Sequence, residues 1–287
     1  MKPFVKQFNL IKINRIKNIL RNFRTPGRET RAGGGAAEVP WSYNQADNLR
    51  TMSRYSSIVV LTGAGISAES GIQTFRGAGG LWAGHDIEEV ATFEAYARNP
   101  KKVLEFYNDR RSELSRTGIE PNAAHLALAE FEHEHAGEFL LVTQNVDNLH
   151  ERAGSRQPLH MHGELDKVRC QRCYEIYPSR EELALTTQCP WCMTAGRVRP
   201  HIVWFGEMPF HMEEIHERLA RCDLFVSIGT SGNVYPAAGF VEIAHQRGIP
   251  TVELNLEPSL GESLFRDRRY GPATEIVPEF FARLRND

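Results

Sequence analysis

The sequence predicts an α/β protein: a doubly wound parallel sheet into which a helical module and a cysteine-bearing module are inserted. Three observations carry this. Ile58-Val59-Val60-Leu61 is apolar and rich in β-branched residues, as a strand buried on both faces is. Phe139–Thr143, Asp223–Ile228 and Thr251–Asn255 repeat the pattern, and each runs into a polar or glycine-rich cluster. The segments between them have helical spacing, and no internal repeat is visible.

Composition sets the class. The 287 residues are 41% hydrophobic and 24% charged, which is ordinary for a globular protein. No apolar run approaches the ~20 residues of a membrane span. Residues 1–31 hold nine of the 34 Lys/Arg and one of the 36 acids, so the remainder carries 25 bases against 35 acids. An acidic body of that kind does not suit specific nucleic-acid binding.

Residues 1–50 are expected to form a basic extension and linker. Phe4, Phe8, Ile11, Ile16, Ile19, Leu20 and Phe23 alternate with Lys and Arg through residue 24. The pattern fits a solvated extension, a segment touching a membrane surface or polyanion, or a transit-type leader. Pro26 and Gly33-Gly34-Gly35 then read as a flexible linker, and Met52 offers an alternative start that keeps the core from residue 51 onward.

The core opens on Ile58–Leu61 followed by Gly63-Ala64-Gly65-Ile66-Ser67-Ala68-Glu69. Two glycines permit a tight turn and let backbone N–H groups approach a phosphate at a helix start. Gly63-x-Gly65-x-x-Ala68 fits the dinucleotide fingerprint only formally, since two glycines also make a mere turn. Gln73–Asp86 is a long glycine-rich loop with Phe75, Arg76 and Trp82 embedded. Helices are expected at Glu88–Arg98, Lys101–Arg116 and Ala123–His133, so the helical module spans about 80–133.

The second strand, Phe139–Thr143, ends in Gln144-Asn145-Val146-Asp147, and Leu159-His160-Met161-His162-Gly163 repeats the arrangement. Polar groups there lie at the carboxyl edge of the sheet, where ligands bind. His160 and His162 are equally good bases on chemistry alone, and Asp147 could merely cap a helix.

Cys170-x-x-Cys173 and Cys189-x-x-Cys192 lie fifteen residues apart, the spacing of a zinc ribbon, which places a zinc module at about 164–200. A redox Cys-x-x-Cys leaves the second pair unexplained. Four thiolates leave no open position, so the zinc is expected to be structural, and such cysteines imply a reducing, cytoplasmic setting. Cys222 reads as a buried small residue. The α/β pattern resumes with Asp223–Ile228 ending in Gly229-Thr230-Ser231, a helix over Tyr235–Gln246, the strand Thr251–Asn255 ending in Leu256-Glu257, and a closing helix from Ala273 to Leu284 that Pro278 could kink.

Together these motifs resemble the sirtuins, NAD-dependent protein-lysine deacylases with a Rossmann-like core and a structural zinc. The resemblance rests on Gly63-Ala64-Gly65-Ile66-Ser67-x-x-Ser70-Gly71-Ile72-x-x-Phe75-Arg76, Thr143-Gln144-Asn145-Val146-Asp147, His162-Gly163, both cysteine pairs, Gly229-Thr230-Ser231 and Asn255-Leu256-Glu257. It covers roughly residues 55–285 and is greatest to bacterial class III members, the desuccinylase branch.

The resemblance implies that Gly63–Glu69, Phe75, Arg76 and Trp82 hold NAD, that Gln144–Asp147 line its nicotinamide and ribose, and that Gly229–Ser231, Asn255–Glu257 and Ala273 hold its adenosine half. His162, selected by the following Gly163, would be the base. Val203-Trp204-Phe205-Gly206-Glu207 would floor the acyl-lysine tunnel and pair with the substrate backbone. Tyr107 and Arg110, three apart on one helix face, match the class III motif for an acidic acyl group, and Ala83 would leave it room. Acetyl, succinyl and malonyl lysines are then the expected substrates, giving nicotinamide, O-acyl-ADP-ribose and free lysine. The competing readings are a hydride-transferring Rossmann oxidoreductase with Asp86 on the ribose, an ADP-ribosyltransferase, and a non-enzymatic zinc-ribbon module.

Overall fold

The computed structural model describes residues 54–73, 81–82 and 84–286. The basic extension, its linker and Met52, and also Phe75, Arg76 and Ala83, lie outside the described residues.

The first strand, β1 (Ser57–Thr62), lies between β4 (Glu138–Thr143) and β9 (Leu224–Ile228), parallel to both. Outward from β4 stands β5 (Leu159–His160); outward from β9 stand β10 (Thr251–Asn255) and β11 (Asp267–Tyr270). All neighbours in this six-stranded sheet pair in parallel. The chain winds from β1 to β4 and β5, then returns to the far side of β1. A crevice beyond the carboxyl ends of β1, β4 and β9 follows from that reversal.

Alternation along β1 explains the two helical layers. Ile58 and Val60 pack with Leu128 and Phe131 of one helix (Ala123–Glu134) and with Phe280, Phe281 and Leu284 of the last helix (Ala273–Asn286). Val59 and Leu61 face Ile215 and Leu219 of the helix Met212–Arg221, and Phe240 and Ala244 of the helix Phe240–Gln246. A strand covered on both faces has no reason to alternate with polar residues.

The inserted modules share a second core. A short antiparallel hairpin pairs β2 (Leu81–Trp82) with β3 (His85–Asp86), and a separate antiparallel sheet orders β7 (Ile176–Pro178), β6 (Gly163–Cys170) and β8 (Val198–Ile202). Against it pack α1 (Ile87–Val90), α2 (Phe93–Arg98) and α3 (Pro100–Leu114), through Val90, Val103, Phe106, Tyr107, Leu165, Ile202 and Trp204.

Three expectations need correction. The helix over 88–98 is two, because the Thr92 hydroxyl accepts from the Ala95 N–H at 3.0 Å and starts a new one. The helical module ends before residue 123, since Ala123–Glu134 belongs to the main core. The segment from Tyr235 begins as a 3₁₀ turn, Ala237–Gly239, and only becomes α-helical at Phe240. As expected, Pro278 falls inside the last helix, which runs on through it to Asn286.

Candidate active site

Three glycines weld the turn after β1 to the turn after β9. The Gly63 N–H donates to the Ile228 carbonyl at 2.9 Å, and the Gly65 N–H to the Gly229 carbonyl at 2.8 Å. A Cβ on Gly65 would lie 2.7 Å from Gly229 Cα; one on Gly229, whose φ is +61°, would lie 2.4 Å from the Ile66 nitrogen. Backbone meeting backbone is therefore the first requirement for these glycines. Both of these N–H groups are engaged by the main chain, whereas the Ala64 N–H has no acceptor among the described residues. Residues Ala64–Ser70 form a 3₁₀ segment in which Ile66 and Ser67 are fully buried. Glu69 turns away to the last helix, accepting from the Thr274 N–H (3.0 Å) and hydroxyl (2.7 Å). Ala273 begins that helix.

Ser67 is the hub beneath this turn. Its hydroxyl accepts from Asn145 Nδ2 at 3.1 Å, donates to Asp147 Oδ2 at 3.1 Å and lies 3.3 Å from His125 Nε2. Asp147 Oδ1 also accepts the Leu149 N–H at 3.1 Å, so Asp147 both starts the short helix Leu149–Ala153 and closes the network. Burial raises the Asp147 pKa, which the Leu149 and Ser67 hydrogen bonds oppose. Gln144 Nε2 donates to Thr230 Oγ1 at 3.1 Å and Asn255 Nδ2 to the Thr230 carbonyl at 2.9 Å, tying three strand ends together. Ser231 and Leu256 are exposed beside them, as is Glu257.

His162 stands where this edge meets the modules. Its Nδ1 lies 3.1 Å from the Gln144 carbonyl and therefore carries the proton, which leaves Nε2 as the basic atom. Burial lowers its pKa to about 4, against the pull of the Gln144 bond. The ring is thus neutral at pH 7. Its own carbonyl accepts the Val203 N–H at 2.9 Å. Gly163 is required after it: φ is +86°, and a Cβ would meet the His201 carbonyl oxygen at 2.0 Å.

Beyond Val203 the loop is held by an ion pair whose arginine is buried and whose carboxylate is partly exposed. Glu207 accepts from Arg199 Nη1 at 2.7 Å, from Arg169 Nη2 at 3.2 Å and from the Trp204 N–H at 2.8 Å. Arg199 is almost wholly buried and stacks on the Trp204 ring, 3.2 Å from its centroid. The carboxylate of Glu207 thus serves the loop itself. Phe205 is partly exposed and its N–H donates to Ala91 at 2.9 Å; Gly206 follows with a φ of +96°.

The Trp204 indole N–H donates to the Tyr107 hydroxyl at 3.1 Å, and Trp82 meets the Tyr107 ring edge-on at 5.8 Å. Tyr107 is completely buried, and burial raises its pKa, so the phenol keeps its hydrogen. With a lone pair taken by the indole, that hydrogen is available to donate. Arg110, one turn on, pairs with Glu113 at 2.9 Å, while its Nε and Nη1 are buried without a partner among the described residues. Val146 packs against the same core. Asp86, the ribose ligand of the oxidoreductase reading, instead accepts the Glu88 N–H at the start of α1.

The four cysteines converge. The sulfur of Cys170 lies 3.7 Å from that of Cys192, that of Cys173 lies 3.6 Å from that of Cys189, and all four lie within 4.8 Å of one another. Tetrahedral zinc with bonds of about 2.3 Å needs sulfurs about 3.8 Å apart, so these residues fit a closed zinc site. Cys222 is buried elsewhere, in the main core.

This fold and edge define an NAD-using Rossmann-type domain with an inserted zinc module, and a profile of the Sir2 family matches residues 63–236. The chain belongs to the Sir2 family. It is 58% identical to the NAD-dependent protein deacylase of Pasteurella multocida over 81% of this chain and 100% of that one. With the NAD-dependent protein deacylase of Escherichia coli K12 it shares 54% identity over 79% of this chain and 81% of that one. Among solved structures, a Sir2 homologue in complex with NAD is 38% identical, with a TM-score of 0.73, over 83% of this chain and 92% of that one.

Sequence reasoning passed over His125, His150 and Arg199. His150 Nε2 lies 3.0 Å from Thr62 Oγ1, and its ring sits 4.9 Å from that of His125. Burial lowers the pKa of both, to about 4 for His125. Isolated histidines and an arginine next to proline carry no pattern of their own.

Proposed function

We propose that this chain removes acyl groups from protein lysines with NAD as co-substrate, and that it accepts acetyl and the acidic succinyl and malonyl groups. The observation that carries this is the place of His162. Its Nδ1 is committed to the strand end of Gln144 and its carbonyl to the loop of Val203, so Nε2 stands at the seam of two half-sites. The names of the relatives support the same activity.

The residues fit NAD. The seam of Gly63, Gly65 and Gly229 keeps side chains off the turn, and Asn145 and Asp147 gather on Ser67 below it. Gly63–Ser67, Phe75, Arg76 and Trp82 would hold the pyrophosphate side, Gln144–Asp147 the nicotinamide side, and Gly229–Ser231, Asn255–Leu256 and Ala273 the adenosine side. When bound, NAD supplies a ribose carbon that becomes electrophilic as nicotinamide leaves, and the acyl oxygen is its partner.

His162, neutral with its proton on Nδ1, presents Nε2 to take a proton from a ribose hydroxyl. Trp204 and Phe205 shield the reacting acyl group from water. The Tyr107 hydroxyl and the Nε and Nη1 of Arg110, unpartnered among the described residues, would hold a distal carboxylate. The cysteines would hold structural zinc with no position left for substrate.

An acyl-peptide panel with NAD, followed by mass spectrometry, tests this. Nicotinamide, O-acyl-ADP-ribose and free lysine are expected. NADH absorbance, or ADP-ribose left on protein, would replace the reading with one of its competitors.

A further inference from the structure

His160 ends β5 two residues before His162, and its ring is buried between two acceptors. Nδ1 lies 3.1 Å from the Asn145 carbonyl oxygen; Nε2 lies 2.7 Å from Glu151 Oε1, on the helix Leu149–Ala153. A neutral imidazole has one N–H and one lone pair, so neither tautomer can serve both neighbours. An imidazolium donates to both. Among the described residues His162 faces an acceptor only on Nδ1, which leaves its other nitrogen to act as a base. Two histidines in one short motif are thus given opposite protonation states by what surrounds them.

The Asn145 carbonyl is the group at stake. Its residue is also fixed by its N–H to Thr143 Oγ1 (3.0 Å) and its side chain to Ser67 (3.1 Å). We propose that protonated His160, held by Glu151, is a positioning residue that clamps the Asn145 carbonyl and so fixes the Gln144–Asp147 strand end for turnover. This rests on the reading of that strand end as the nicotinamide-side site.

The charged and titratable groups around His160 come from three elements: Glu151 and His150 on the helix, Glu164 at the start of β6, and Asp147 in the turn between. Glu164 is itself paired with Lys167 at 2.7 Å. Burial opposes the charge on His160, but the Glu151 hydrogen bond and charge, with Glu164 and the Asn145 carbonyl, outweigh it and raise the pKa above the usual imidazole value. Below that raised pKa the clamp is present; as pH rises through it, one proton must go. The remaining proton stays on Nε2, where the bond to carboxylate is charge-assisted and stronger. The Asn145 carbonyl then faces a lone pair.

Three variants of the full-length, zinc-loaded protein test this through kcat/KM for NAD across pH, with melting temperature as the control. His160→Asn can place an amide N–H near the Nδ1 position and should recover most turnover with no alkaline loss. His160→Gln reaches the Nε2 position and leaves Asn145 unclamped; kcat/KM should fall about tenfold at every pH. Glu151→Gln can donate to neutral His160, moving the ring proton to Nδ1, and should flatten the alkaline limb. Equal losses in His160→Asn and His160→Gln, or an unchanged alkaline limb in Glu151→Gln, would overturn the clamp. Asp147→Asn separates the two readings. If it too leaves kcat/KM for NAD unaltered, the assignment of the strand end fails; if it is impaired while the His160 and Glu151 variants are silent, only the clamp does.

Discussion

The two halves of the site are held by different physics. On the side proposed to face NAD, close packing and hydrogen bonds do the holding: three glycines press one backbone against another, and Ser67 gathers Asn145, Asp147 and His125. On the side proposed to face the acyl group, a buried charge does it: Arg199, under the Trp204 ring, is neutralised by Glu207. The NAD side is assembled from strand ends of one sheet, whose register is set by the main core. On the other side the loop after β8 is braced within its own module by that ion pair, and it meets the helix Pro100–Leu114 through the hydrogen bond from Trp204 to Tyr107. Seam and ion pair differ in how they fail. A seam tolerates no added atom, whereas an ion pair tolerates shape changes but not loss of one charge.

The largest expected effect is at the junction that both halves share. His162→Ala should lower turnover by about 10²–10⁴-fold on every acyl substrate while NAD still binds. In the unaltered protein the base is neutral above a pKa of about 4 and protonated below it, so the acid limb of kcat/KM from this group should lie well under the ordinary imidazole range. A limb assigned to His162 near neutrality would show that the burial is relieved in solution.

Next is the acyl side. Glu207→Gln leaves Arg199 buried without its carboxylate, and Arg169 beside it. Breaking such a pair costs about 3–5 kcal/mol. Thermal unfolding should register it, and KM for acyl peptide should rise more than KM for NAD. The reverse order would mean that the two halves are not separately supported.

Gly229→Ala probes the other half. Its Cβ would enter the space of Ile66 in a left-handed backbone, at a cost of about 1–3 kcal/mol. Here KM for NAD should move first. An unperturbed NAD affinity in a well-folded variant would mean that the seam is only a fold device.

The smaller effect is selective. Arg110→Met should lower desuccinylation roughly ten- to a hundredfold, as loss of a charged hydrogen bond does, and leave deacetylation intact. Equal loss on both substrates would place Arg110 in the fold through its Glu113 pair and its stacking 5.2 Å from Phe106. Smallest of all, a chain begun at Met52 should deacylate peptides with unchanged kinetics; a well-folded truncation that has lost activity would give the basic extension a part in catalysis.

The main sheet was legible because buried parallel strands are apolar throughout and end abruptly in glycine or polar residues. Ile58–Leu61, Phe139–Thr143, Asp223–Ile228 and Thr251–Asn255 each became a strand. The strand Asp267–Tyr270 escaped, since Asp-Arg-Arg-Tyr at an exposed sheet edge has the charges that discourage further pairing. The helix Met212–Arg221 was not read either, although Ile215 and Leu219, four apart, mark its buried face.

Local chemistry by itself determined the cysteine site, the glycine turns and the strand-end motifs, because each is specified by residues a few positions apart that need one geometry. Only the tertiary structure decided what those residues do for one another. It turned the N–H groups of Gly63 and Gly65 onto the neighbouring main chain, set Glu69 to hold the last helix, and brought Trp204 to Tyr107 across ninety-seven positions. It also separated His160 from His162, the one enclosed by two acceptors and the other, among the described residues, by one. A ring's protonation depends on burial and on which groups surround it, and those come from segments far apart in the chain.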